Sequence, residues 1–204
     1  MLLFLAYGER LWNLELGLVK KLSRKQWRVL KNMYLTGFNS PLSSSMGRLF
    51  DAAGALVLAE KEAHFEAALA MELERLASRC RFRERISAYQ FSIIKAKDGY
   101  IVDPLAVIKG IGADLKNKKP RENIAYRFHL TVAAMTRKML ERLRSNTGVN
   151  KVILSGGVFQ NRLLCRTITD LLSQKDFEAC LHRDISCNDA GIALGQIAVA
   201  NHSN

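Results

Sequence analysis

The residues best suited to hold an anionic ligand lie in a glycine turn near the end of the chain. This turn follows the apolar run Val152–Leu154 and consists of Ser155, Gly156 and Gly157. Glycine has no Cβ atom, so backbone N–H groups can approach a phosphate closely, and the helix start that follows adds partial positive charge. The three turn residues are therefore candidate contacts for a nucleotide or a phosphorylated compound. The same pattern also serves as a plain connection between two elements.

A β-α-β-α unit is expected to position this turn. The run Val152–Leu154 predicts a buried strand, and Asn161 stands at the N-cap of a helix with apolar residues at helical spacing. Phe177–Leu181 predicts a second strand, and Asn188 with Asp189 opens an alanine-rich helix. Because open α/β sheets bind ligands at the carboxyl ends of their strands, both turns are expected to line one wall of a site.

The remainder of the chain is predicted to be largely helical, which gives an α/β fold with a large helical portion. Apolar periodicity and breaker residues predict two parts, a helical segment over 1–87 and a segment of hairpin, helices and β-α-β-α unit over 88–204. The predicted elements are helices over Leu11–Leu22, Lys25–Leu35, Met46–Leu58 and Glu60–Arg79, a hairpin of Ala88–Ile94 with Tyr100–Val102 turning at Asp98-Gly99, a helix begun by Asp103-Pro104 and stopped by Gly110 and Gly112, and the longest helix from Pro120 or Arg121 to about Thr147.

Composition narrows the class of protein. The 204 residues, 49% of them hydrophobic, are enough for one domain with a substantial core. The net charge of +12 is spread along amphipathic helices, which favours a solvated surface over a nucleic-acid-binding one. No run reaches the ~18 to 20 apolar residues of a membrane span, and the opening segment lacks a basic region, so the protein is expected to be cytoplasmic.

Cysteine and histidine spacing gives no preformed metal site. The four cysteines contain no C-x-x-C pair, so reduced and mostly buried thiols are expected. The four histidines show no H-x-x-x-H spacing. His129 lies among alanines on the longest predicted helix and is interpreted as a packing residue.

Three motifs are spread over nearly the whole chain. The first is SSSMGRLFDA at Ser43–Ala52 with HFEAALAMELE at His64–Glu74, the second is SGGVFQN at Ser155–Asn161, and the third is NDAGIALGQ at Asn188–Gln196. In type, order and spacing they resemble the C-terminal part of the HypF family, the carbamoyltransferases of nickel–iron hydrogenase maturation. The first motif is similar to that family's SSMGRLFDA and YEGQAA.

The resemblance implies a fold, cofactors and a partner. It implies a partial lobe of an actin-like, Kae1-like ATP-binding fold, with ATP or carbamoyladenylate and a divalent metal as cofactors in the intact family. The family moves a carbamoyl group from carbamoyladenylate to the C-terminal cysteine of a HypE-like maturation protein, which produces a cyanide-ligand precursor.

The resemblance also implies roles for matching residues. Gly156, Gly157 and Asn161, in one motif with Ser155, would contact the nucleotide. Asp51 would bind ribose hydroxyls and Asp189 the metal, while no catalytic residue is assigned.

The chain departs from the family pattern in ways that predict inactivity in isolation. The family's H-x-x-x-H and D-G-T-G segments are not in this sequence, and a metal held by Asp189 alone would be weakly bound. Ala67 and Ala68 stand where the family has glycine and glutamine, and a Cβ at Ala67 could obstruct a ligand that approaches the backbone. Ala190 replaces a glycine of the terminal motif.

Three hypotheses remain open at this point. In the first, the chain is a fragment of a HypF-type carbamoyltransferase that pairs with a missing N-terminal HypF fragment. In the second, it is a non-catalytic remnant or interaction module, and uncovered apolar surface would lead to self-association. The third is a protein of the related tRNA threonylcarbamoyl-transfer branch, which the positive charge would suit. Against it, Val158-Phe159-Gln160 before Asn161 matches the HypF form.

Overall fold

The computed structural model describes residues 1–97 and 99–202 of the chain. They form two compact units, the first spanning Met1–Thr131 and the second beginning at Val132. Asp98, predicted to lie in the hairpin turn, is outside the described residues. The predicted segments 1–87 and 88–204 concern domain organisation and stay a prediction. None of the described helices combines the length and apolar character needed to cross a lipid bilayer.

Nine α-helices and four strands are found in the described ranges. The helices are α1 Leu2–Tyr7, α2 Gly17–Lys20, α3 Arg24–Thr36, α4 Met46–Leu58, α5 Ala68–Ser78, α6 Leu105–Lys116, α7 Arg121–Thr147, α8 Arg162–Ser173 and α9 Ile192–His202. The strands are β1 Ser92–Ala96, β2 Gly99–Asp103, β3 Lys151–Leu154 and β4 Glu178–Leu181. Short 3-10 turns occupy Gly8–Asn13, Arg83–Arg85, Gly157–Gln160 and Asp189–Gly191.

The strands form two separate pairs with different directions. In the first unit β1 and β2 are antiparallel, with Ser92 opposite Asp103. In the second unit β3 and β4 are parallel, with Leu154 opposite Leu181. Parallel strands end at the same edge, so the segments that follow Leu154 and Leu181 start side by side.

The core of the first unit includes side chains from α4 and from the start of α7. Phe50 and Phe128 are fully buried, and their ring centroids lie 4.9 Å apart in an edge-on arrangement. His129 is also fully buried, with its ring centroid 5.1 Å from that of Phe50. The interpretation of His129 as a packing residue is therefore confirmed.

Elements with strong local signals are confirmed. Helix α3 begins after Ser23, whose hydroxyl accepts a hydrogen bond from the backbone N–H of Gln26. Helix α4 has the predicted bounds and α7 ends at Thr147. In the second unit, Asn161 caps α8 by accepting a hydrogen bond from the N–H of Leu164 at 2.8 Å. Side-chain caps of this kind satisfy donors that the helix start leaves free.

Two predicted long helices are wrong. Leu11–Leu22 divides into a 3-10 turn and the single turn α2, because Leu14 and Leu16 between them have extended backbone. The predicted helix Glu60–Arg79 begins only at Ala68 as α5.

The predicted end of α6 is also wrong, because the helix runs through Gly110 and Gly112 instead of stopping there. A Cβ at Gly110 would lie 2.4 Å from a ring atom of Tyr89, and one at Gly112 would lie 2.6 Å from the hydroxyl of Tyr7. Both glycines therefore permit close packing against an aromatic ring.

The expectation of mostly buried thiols is wrong for three of the four cysteines. All four are free thiols, but only Cys80 is buried. Cys165, Cys180 and Cys187 are half-buried.

The late start of α5 reflects the backbone conformation of Ala67. This residue has φ of 60° and ψ of 10°, the left-handed region, immediately before the helix. Left-handed backbone is unfavourable for residues with a Cβ and easy for glycine. The backbone conformation at position 67 therefore favours glycine, the residue that the resembling motif has there.

Replacing Ala67 with glycine is expected to raise the free energy of unfolding by about 1 kcal/mol, since the left-handed conformation costs an L-residue roughly 1–2 kcal/mol. Urea denaturation followed by circular dichroism measures the change. Ala68→Gly is the matched control, and it should lower stability by up to about 1 kcal/mol because position 68 is helical. If both variants are destabilised equally, position 67 is not left-handed.

Candidate functional site

The two predicted turns contact each other at the carboxyl edge of the β3–β4 pair. The backbone N–H of Gly156 donates to the carbonyl oxygen of Cys187 across 2.8 Å. A Cβ atom placed on Gly157 would lie 4.0 Å from the Cβ of Asn188. The diglycine turn and the turn that contains Asn188 and Asp189 are therefore neighbours within the second unit.

The space in front of the diglycine is open. Gly156 has φ of 106°, a conformation that L side chains rarely adopt, and its missing Cβ would meet no atom within 4 Å. The backbone N–H groups of Gly157 and Val158 have no hydrogen-bond acceptor among residues 1–97 and 99–202. Adjacent unpaired N–H groups in a glycine turn are donors suited to an anion.

A cavity of about 310 Å³ lies beside this turn. Its polar wall includes Ser155, His182, Ser186 and Asn188, all from the segments that follow the two strands. Its apolar wall includes Ile192, Leu194, Gly195 and Ala198 of α9, together with Ile185. A cavity with one polar and one apolar wall suits a small amphiphilic ligand.

Ser155 and His182 form a hydrogen-bonded pair on the polar wall. The Oγ of Ser155 and the Nε2 of His182 are 3.0 Å apart, and both residues are exposed to solvent. Each follows the last residue of its strand, and those last residues are opposite each other in the register.

Sequence reasoning missed His182. The two strands had been predicted, and aligning their ends in a parallel register would have placed His182 next to Ser155, because the residues that follow paired strand ends are adjacent.

The remaining predicted site residues have defined local surroundings. Asn161 is buried and acts as the N-cap of α8. Asp189 is exposed in the 3-10 turn that precedes α9, and the side chain of Asn188 caps this turn by accepting from the N–H of Ala190 at 3.1 Å. Asp51 belongs to the first unit, on α4, where its Oδ2 lies 3.6 Å from Nη1 of Arg48. Their predicted ligand roles stay predictions.

Hard and borderline cations bind to proteins through several ligands in fixed geometry. In the part of the chain that the structure describes, no three His, Cys, Asp or Glu side chains converge on one point. Asp189 by itself does not fit a complete divalent-metal site.

Comparison with known proteins defines the class of this fold. Residues 1–196 match the model of the family described as the second subdomain of the Kae1-like domain of carbamoyltransferases. The predicted fold class, a Kae1-like α/β fold with a large helical portion, is thereby confirmed. The chain belongs to the HypF carbamoyltransferase family.

Individual relatives agree with this assignment. Carbamoyltransferase HypF2 of Cupriavidus necator is 28% identical, over 84% of this chain and 24% of that protein. The carbamoyltransferase HypF homolog of the same organism is 32% identical, over 85% of this chain and 44% of that protein. A crystal structure of full-length HypF in the phosphate- and nucleotide-bound form superposes with a TM-score of 0.83 at 36% identity, over 91% of this chain and 24% of that one. The chain thus spans between about a quarter and a half of the length of these relatives.

Proposed function

We propose that this chain is the C-terminal part of a HypF-type carbamoyltransferase and that its second unit forms one wall of the nucleotide site. The observation that carries this proposal is the direct contact between the two turns, through the Gly156 N–H and the Cys187 carbonyl oxygen, with open space in front of Gly156 and Gly157. The full-length HypF structure to which this chain is similar is described as phosphate- and nucleotide-bound.

The turn would act on the phosphate of carbamoyladenylate. Transfer to a thiol forms a carbon–sulfur bond and breaks the bond between the carbamoyl carbon and a phosphate oxygen. AMP leaves with increased negative charge, and the thiol proton passes to solvent. The N–H groups of Gly157 and Val158 have no acceptor in the described residues and are free to donate to such an oxygen. Donors fixed by the backbone stabilise developing charge without reorganising. The acceptor thiol would be the C-terminal cysteine of a HypE-like partner.

The other predicted residues complete the proposal. Asp51 would contact ribose hydroxyls, and Asn161, which caps α8, would contact the nucleotide. Asp189 would supply one ligand to a divalent metal whose other ligands come from elsewhere, and no step is assigned to that metal. The isolated chain should therefore show negligible carbamoyl transfer, and an N-terminal HypF fragment is the partner expected to restore it.

Calorimetric titration with ATP and magnesium tests the nucleotide wall. The chain should bind ATP, and Gly157→Val should weaken binding at least about tenfold, because the side chain would fill the open space before the N–H groups. The fold should tolerate the change, since a Cβ at this position makes no contact closer than 4.0 Å.

The control is Ser173→Ala, at the exposed end of α8, which should bind like the unaltered chain. Equal affinity of Gly157→Val and the control would contradict the proposal. So would an unaltered chain that binds no ATP.

A second candidate, a non-catalytic interaction module, is favoured by apolar surface in the second unit. These exposed side chains belong to the β3–β4 pair and α9 and include Ile153, Leu181, Ile192, Ile197 and Val199. Large exposed apolar patches mark interaction sites. Sedimentation of the chain at rising concentration should show self-association, and a monomer throughout would count against this candidate.

A further inference from the structure

We propose that His182 is a positioning residue that directs the hydroxyl proton of Ser155 toward a phosphate oxygen of the bound nucleotide. This inference rests on the proposed nucleotide site and adds to it a residue that lies outside the family motifs quoted above. The two side chains form a relay, in which the imidazole donates to the serine oxygen and the serine donates to the ligand.

The pair is held by the sheet. Ser155 follows Leu154 and His182 follows Leu181, and these two leucines are partners in the parallel register. Side chains at matched positions of paired strands lie on the same face of a sheet. Strand pairing therefore places the two residues next to each other, and their Oγ and Nε2 atoms are 3.0 Å apart.

The direction of the hydrogen bond depends on what occupies the cavity. A serine hydroxyl has one proton and two acceptor lone pairs, and a neutral imidazole carries its proton on either nitrogen. If Ser155 donates to Nε2, no hydroxyl proton remains for the ligand. If Nε2–H donates to Oγ, the hydroxyl proton is free for a phosphate oxygen, which only accepts.

A phosphate in the cavity therefore selects the arrangement in which His182 donates. The cavity is lined by both residues, and both are exposed to it and to solvent. Ser186 already donates to the side-chain oxygen of Asn188, whereas the Ser155 hydroxyl can rotate to donate to a ligand.

Calorimetric titration of the unaltered chain and four variants with ATP and magnesium tests the relay. Ser155→Ala and His182→Ala should each weaken ATP binding about tenfold, and the double variant should bind no more weakly than either one. His182→Gln keeps an N–H donor and should recover most of the affinity. Adenosine, which has no phosphate, should bind all variants equally.

A second measurement reports on the imidazole itself. Nitrogen-15 NMR of the ATP-saturated chain should show a protonated Nε2 on His182, and Ser155→Ala should shift that signal. Circular dichroism of each variant should be unchanged, since both positions are exposed.

The outcomes separate the relay from the site. An unaltered chain that binds no ATP overturns the proposed function, and the relay with it. ATP binding with additive effects of the two substitutions, or an unprotonated Nε2 in the complex, overturns the relay alone.

Discussion

Asp114→Ala is expected to lower the free energy of unfolding by about 2–3 kcal/mol, since it removes a buried carboxylate together with its hydrogen bonds. Asp114 is only 5% exposed. Its Oδ2 accepts from the hydroxyl of Tyr89 at 2.8 Å and from Nη1 of Arg127 at 2.9 Å, and its Oδ1 lies 2.7 Å from Nζ of Lys119. The substitution would leave the buried Tyr89 hydroxyl without its acceptor.

The pKa of Asp114 describes the same network. Burial alone would raise it, but hydrogen bonds from Lys119, Tyr89 and Arg127 outweigh burial and hold the pKa below its ordinary value. Tyr89 responds in the opposite direction, because burial and the hydrogen bond to Asp114 raise the pKa of its phenol. A depressed carboxyl pKa stabilises the fold above the unfolded-state pKa near ~4, and this contribution disappears as the pH falls further.

Urea denaturation at pH 7 measures the effect, with Glu72→Ala as the matched control. Glu72 forms an ion pair with Arg75 on the exposed surface of α5. Exposed pairs contribute about 0–1 kcal/mol, so the control should be nearly neutral. A loss for Asp114→Ala no greater than for Glu72→Ala would contradict a structural role for the network.

Acidification from pH 7 to about pH 4 is expected to cost on the order of 3 kcal/mol of stability through His129 alone. Burial lowers the pKa of His129 to about 4, and the hydrogen bond to the Ala125 carbonyl oxygen opposes this only in part. That oxygen lies 2.8 Å from Nδ1 and can only accept, so Nδ1 carries the single proton of a neutral ring.

The loss of stability on acidification follows from proton binding by His129. Between the folded pKa near 4 and the ordinary value of 6.5, the unfolded histidine binds a proton that the folded one does not. The unfolded state is therefore favoured as the pH falls through this range. The Asp114 effect begins only below it, so the two groups act in separate pH windows.

Denaturation midpoints of the unaltered chain and His129→Gln, measured from pH 7 to pH 4, test this expectation. The glutamine variant should start less stable, because His129 packs against Phe50, but its stability should change less with pH. Parallel pH profiles for the two proteins would mean that His129 titrates normally in the fold.

The sequence predicts the second unit well because its signals are local. Val152–Leu154 is apolar and β-branched, Asn161 is a strong helix cap, and the leucines of α8 recur at helical spacing. Each of these features acts within one turn of helix or one strand. The glycine turn at Gly156 and Gly157 was predicted for the same reason, because its signal is also local.

Tertiary contacts account for what the sequence did not predict. Gly110 and Gly112 accommodate tyrosines far away in sequence, so their glycine identity gives no local stop signal. Ala67 adopts a left-handed backbone that alanine does not favour, and the signal for it was the glycine that the resembling motif has at this position. His182 reaches Ser155 only because two strands 27 residues apart pair in one register.

The hydrogen bond between Gly156 and Cys187 has a consequence for how this protein can vary. Its acceptor is a peptide carbonyl, which every amino acid supplies, so the side chain at position 187 can mutate without separating the two loops. Substitutions at position 187 should therefore leave the distance between the diglycine and the start of α9 unchanged. Proline at position 156, which has no amide donor, would remove this hydrogen bond.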